Sequence, residues 1–146
     1  MPKSKEKSKE KRPKKSGPDI RERILDAALD VASTAPWEVV SLYEIAETAA
    51  ISHGDMADVF PTKEALVSAI SGRLDAAVIV STAIDEDGSL RDKLFDVFME
   101  KFDHANSHRA AVISIMRSFG WDKPSTCAQI NTLHESCTRL AIHAGM

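Results

Sequence analysis

Apolar positions recur at intervals of three and four along nearly the whole chain and never alternate with polar ones for long, which predicts an all-α protein. Ile20, Ile24, Ala27, Ala28 and Val31 share one face of a first helix, from about Asp19 to Ala35. Pro36 ends it, because its ring removes a backbone donor and clashes with the preceding turn. Trp37 and Val40 pack at the corner that follows. Leu42, Ile45, Ala46 and Ala49 predict a second helix over about Leu42 to Ala49, opened by Ser41 and Glu44 in the arrangement of a capping box. Ser52 with Asp55 repeats that start signal for a third helix, about His53 to Val59, closed by Phe60 and Pro61. Thr62 caps a fourth helix, which carries Leu66, Ile70, Leu74, Ala77 and Val78 down to about Ile84.

The acidic turn at residues 85–88 separates two halves. Beyond it Ser89 and Asp92 cap a fifth helix with the face Leu90, Leu94, Val97, Phe98 and Phe102. Ala111, Ile115 and Phe119 mark a sixth, ended by Gly120 and Pro124. Ile130, Leu133, Cys137 and Leu140 mark a seventh, which stops near Gly145. In the first half, the small pair Ala49 and Ala50 lets two short helices cross closely before Ile51 plugs the corner. Such a pair is a helix-turn-helix, whose second member usually enters the DNA major groove.

Charge divides the chain unevenly. The net charge is −3, but residues 1–18 carry eight Lys/Arg against two Glu, and the remainder carries eleven against twenty acidic residues. A tail of this composition cannot offset the entropy of ordering itself, so it is expected to be disordered. Beside a helix-turn-helix it serves either as an arm adding phosphate contacts or as a solubilising leader. The organisation expected is therefore a basic tail over 1–18, a DNA-binding unit over 19–66 and a helical second domain over 67–146. No stretch approaches the roughly 20 apolar residues of a membrane span, and no signal-peptide core follows the tail. A soluble cytoplasmic protein is expected.

Candidate chemistry is sparse. No nucleophile elbow, phosphate loop or dinucleotide-binding glycine motif is present, so neither an enzyme nor a cofactor is expected. His104 and His108, four apart beside Asp103, have a spacing that can bind zinc, but they bracket an expected helix end and read as surface histidines. His134 with Cys137 and Cys127 is a looser set, so no metal site is expected. The two cysteines lie ten residues apart on one expected helix, too far to bridge. Arg109 and Arg117 on helix six read as reaching an anionic effector or as surface charges.

The stretch from Arg21 to Ile70, with ILDAALDVA, the capped SLYEIAETA, IS at the turn and FPTKEAL opening helix four, resembles the DNA-binding region of tetracycline-repressor-type (TetR) regulators. The resemblance implies three DNA-binding helices, helix four as connector, and a helical effector domain that usually dimerises. It further implies contacts to duplex DNA from Arg21, from Ser41 and Tyr43, from Ser52, His53, Gly54, Asp55 and Asp58 on helix three, and from Thr62 and Lys63. The last two sit at a helix start, which suits an anion. The chain departs from the family at helix three. Members commonly have glycine at the position of Ala50, lysine at His53, threonine at Asp55, tyrosine at Ala57 and a basic or amide residue at Asp58. Here that helix carries no Lys or Arg. Asp55 suits the dipole of a capped helix, whereas Asp58 meets phosphates with repulsion unless it accepts from a cytosine amino group.

Residues 89–118, through LFDVFMEKFD and HRAAV, resemble an alphaproteobacterial branch related to the lipid-binding protein of coenzyme Q biosynthesis. That resemblance implies an apolar or lipid-like effector, with Phe95, Phe98, Met99, Phe102, Met116, Phe119 and Trp121 lining its cavity. As residues at helical spacing, most of them read as ordinary core. Both families continue beyond helix seven, so the second domain is expected to be incomplete or to dimerise through helices six and seven. The function expected is a DNA-binding transcriptional regulator, a ligand-relieved repressor acting as a homodimer. The alternative is a lipid- or isoprenoid-binding accessory protein of ubiquinone biosynthesis.

Overall fold

The computed structural model describes residues 19–85, 87–120 and 125–146; the expected basic tail and Trp121 lie outside them. Among the described residues there are seven helices and no strand: α1 (Ile20–Thr34), α2 (Leu42–Thr48), α3 (His53–Val59), α4 (Lys63–Ser81), α5 (Leu90–Asn106), α6 (Arg109–Arg117) and α7 (Ser125–His143). The capping residues set these starts. Asp19, Ser41, Ser52, Thr62 and Ser89 each accept a first-turn backbone N–H on the side chain, a bond worth about 1 kcal/mol per helix.

Two ends differ from the sequence expectation. Helix α4 stops at Ser81 rather than near Ile84, with Thr82 already extended. Val80 is 88% exposed, so no core rewards further turns there. Helix α6 ends at Arg117, two residues before Phe119.

The core forms two clusters joined by α4. The larger takes Ile24, Leu25 and Ala28 from α1, Ile45 and Ala46 from α2, Met56 from α3, and Leu66 and Ile70 from α4. It also takes Ala111 and Ile115 from α6, so a helix from the second half of the sequence completes the N-terminal core. Ser114 on the same helix closes the corner at Pro36. Its hydroxyl accepts the Trp37 N–H at 2.9 Å and donates to the Ala35 carbonyl at 2.9 Å. The smaller cluster holds Val78, Val97, Leu140 and Ala144, with Leu94 and Phe98 against it.

Beside the smaller cluster lies a buried polar clasp. Asp75 of α4 is 1% exposed. Its carboxylate accepts from Lys101 of α5 at 2.6 Å, from the Ser136 hydroxyl of α7 at 2.8 Å, and from two N–H groups of Arg139, also of α7, at 2.7 and 3.1 Å. Burial alone pushes this carboxyl up, but the bonds from Lys101, Arg139 and Ser136 outweigh it and hold the pKa below the ordinary aspartate value.

Candidate nucleic-acid interface and internal cavity

Helices α2 and α3 meet at a turn that two residues fix. Ala50 adopts a left-handed backbone, φ 53°, to reverse the chain. The Arg23 guanidinium of α1 donates to the carbonyls of Ala49 and Ala50, occupying acceptors that the end of α2 leaves open. Sequence reasoning missed Arg23, although a cation on the buried side of the first helix is the signal that would find it.

The outer surface of this unit brings most of the expected DNA-contact residues together. Tyr43 is exposed and its ring stacks on His53, with centroids 4.0 Å apart, so the starts of α2 and α3 present one flat aromatic surface. Glu47, one turn along, bonds the Tyr43 hydroxyl and raises its pKa above the ordinary phenol value. Ser41 and Ser52 serve as caps. The Ser52 hydroxyl also donates to the Asp55 carboxylate at 2.7 Å, so Asp55 has an internal role. Asp58 is exposed and has no hydrogen bond or ion pair among the described residues. Gly54 has open space around it: an added methyl would meet only the Ser52 hydroxyl, at 3.8 Å.

Thr62 caps α4 through the Ala65 N–H. Arg21 lies with its guanidinium 4.8 Å from the Phe60 ring centroid, which draws this exposed cation towards the α3–α4 junction. Lys63 is placed differently from the phosphate-contacting role implied for it. Its ammonium donates to the Trp37 carbonyl and, at 2.7 Å, to that of Val40. Partial burial lowers its pKa, against the pull of Glu64 and Glu38. Three carbonyls at the α1–α2 corner are left without helical partners; Lys63 takes those of Trp37 and Val40, and Ser114 takes that of Ala35.

An apolar cavity of about 420 Å³ lies between α4, α6 and α7. Ile70 and Leu74, Ile115 and Met116, and Ile130 and Leu133 form its walls. Of the seven residues expected to line a ligand site, Met116 and Phe119 do so. Phe95, Met99 and Phe102 do not: they form a stripe on the outer side of α5, with Phe95 64% and Phe102 65% exposed. Phe98 packs against the smaller core. The sequence places all four on one stretch of α5 but cannot say which arc of that helix faces its neighbours. Lys101, not singled out from sequence, lines the cavity instead.

The histidine pair does not converge. His104 contacts Ser81 at 3.0 Å and Glu100 at 3.3 Å, and no group of three metal-ligating side chains occurs among the described residues. Cys127 and Cys137 are free thiols. No helix among the described residues is long and apolar enough to cross a membrane.

Residues 24–70 match the family model of bacterial regulatory proteins of the tetR family. They form a TetR-type N-terminal domain. The whole described fold is also TetR-like. It is similar to a TetR transcriptional regulator from Rhodococcus sp. RHA1, with TM-score 0.64 and 19% identity over 87% of this chain and 70% of that one. It is similar too to a tetR-family transcriptional regulator from Streptomyces coelicolor, with TM-score 0.53 and 25% identity over 85% of this chain and 57% of that one. No curated protein matches the chain. Neither similar structure is described as a coenzyme Q lipid-binding protein; of the residues which that resemblance placed around a cavity, Met116 and Phe119 line it. The matched residues span α1 from Ile24, α2, α3 and the first turns of α4, and the cavity lies beyond them between α4, α6 and α7.

Proposed function

We propose that this chain is a DNA-binding transcriptional regulator, a repressor relieved by a small apolar ligand, acting in the cytoplasm as a homodimer on an operator with two half-sites. What supports the reading best is the exposed Tyr43–His53 surface of a TetR-type domain, flanked by Arg21 and by the capped start of α4. His53 and Gly54 lie along the groove, Ser41, Tyr43 and Thr62 contact phosphates at the starts of α2 and α4, and Arg21 contacts an adjoining phosphate. Asp55 stays engaged by Ser52. Asp58 accepts from a cytosine amino group, which turns an electrostatic cost into base readout.

The test is fluorescence anisotropy with duplexes enriched in vitro from random sequence. Specific binding is expected to fall with salt. Arg21→Ala should reduce the salt slope by about one, as loss of one phosphate contact does. Tyr43→Ala should weaken every sequence alike, and Asp58→Ala should relax the cytosine preference. Binding no tighter than to arbitrary duplex at low salt would sink the regulator reading.

A further inference from the structure

Lys101 is the one charged side chain among the described residues that line the α4–α6–α7 cavity. Its ammonium donates to Asp75 and Ser136, which leaves one of three N–H groups for another acceptor. Asp75, the buried carboxylate, is shared between Lys101 and Arg139. Arg139 and its neighbour Glu135, 3.8 Å apart, are both largely exposed, so solvent screens them. The charge left at the wall of the cavity is the Lys101 ammonium with its third N–H, beside a space bounded by Ile70, Leu74, Ile115 and Leu133.

We propose that this cavity binds an apolar carboxylic acid with a single hydrocarbon chain, its body against those four residues and its carboxylate on Lys101. A volume of about 420 Å³ lies towards the small end of ligand pockets and suits one chain of medium length. A neutral alcohol of the same shape would accept a bond from Lys101 but bring no opposite charge to it, and an amine would add a like charge. The acid takes the third N–H and places a second negative charge beside Asp75, so binding weakens the Lys101–Asp75 tie between α4 and α5. As the effector, it rests on the regulator reading given above; as a ligand, it does not.

The experiment is isothermal titration calorimetry of the full chain with decanoate, decanol and decylamine at neutral pH, followed by the same series on Lys101→Met. Decanoate should bind about tenfold tighter than decanol, the advantage of a hydrogen bond between opposite charges over one to a neutral hydroxyl, with decylamine weakest. In Lys101→Met, whose Asp75 keeps Arg139 and Ser136, that advantage should vanish while decanol binding persists. Equal affinities for decanoate and decanol in the unmodified protein overturn the proposal, as does a preference that survives Lys101→Met. Should the variant fail to fold by circular dichroism, the headgroup series on the unmodified protein decides alone. Calorimetry is read without DNA. A decanoate preference in a protein that ignores operator duplex leaves this inference standing and removes the regulator reading; operator binding without the preference does the reverse.

Discussion

Ala50 carries a conformational cost that its own side chain creates. At φ 53° its Cβ crowds the carbonyl oxygen, which costs roughly 1–2 kcal/mol for an L-residue. Glycine escapes that cost but adds freedom to the unfolded chain, about 0.4–1 kcal/mol in the other direction. Ala50→Gly should therefore stabilise the protein by about 0.5–1 kcal/mol, seen as a rise of about 3 °C in the thermal midpoint. No change, or a fall, would mean that the turn relaxes away from this geometry in solution. The left-handed requirement was legible only through the family resemblance, since nothing in an alanine announces a positive φ. Asp55 was legible directly, because an acidic residue three positions after a serine cap has one obvious partner. Lys63 was not: which acceptor a long flexible cation reaches depends on carbonyls more than twenty residues away.

At the scale of elements, the caps placed helix starts within a residue, whereas faces were harder to assign. Helical periodicity says that Leu90, Leu94, Val97, Phe98 and Phe102 share a broad side of α5, yet Val97 alone is fully buried and Phe102 points outward. A helix with apolar residues around more than half its circumference does not reveal which arc meets its neighbours. The clasp between α4, α5 and α7 was missed for a related reason. Asp75 lies among the core positions of α4, next to Leu74, and an acidic residue inside an apolar stripe was the available signal. Its consequence is measurable. Because the folded carboxyl titrates below its ordinary value of 3.8, the unfolded chain binds more protons in that interval. The stabilisation is complete above that value and is lost as pH falls through the folded one. Urea midpoints should thus drop below about pH 4 in the parent protein. Asp75→Asn should lower stability by about 3 kcal/mol at neutral pH, by stranding two cations, and flatten the acid limb. An unchanged acid limb in that variant would exclude Asp75 as its source.

For the whole molecule, the decisive arrangement is that α6 lies along α1 and contributes Ala111 and Ile115 to the core of the TetR-type N-terminal domain. The sequence announced two halves, split at the acidic turn, but chain order does not reveal that the second half closes the first. A fragment of residues 19–85 lacks that cover and should keep helical circular dichroism while losing its cooperative thermal transition. The full chain should unfold in one step. A sharp transition in the fragment would show that the first four helices need no help. The Ser114 bridge to Ala35 and Trp37 carries this dependence into protein engineering. Sensor chimeras are commonly imagined as a reading unit joined to an interchangeable sensing unit at the connector helix. Here a transplanted second half would have to bring a hydroxyl at the position of Ser114 and apolar residues at those of Ala111 and Ile115, or the first corner would open.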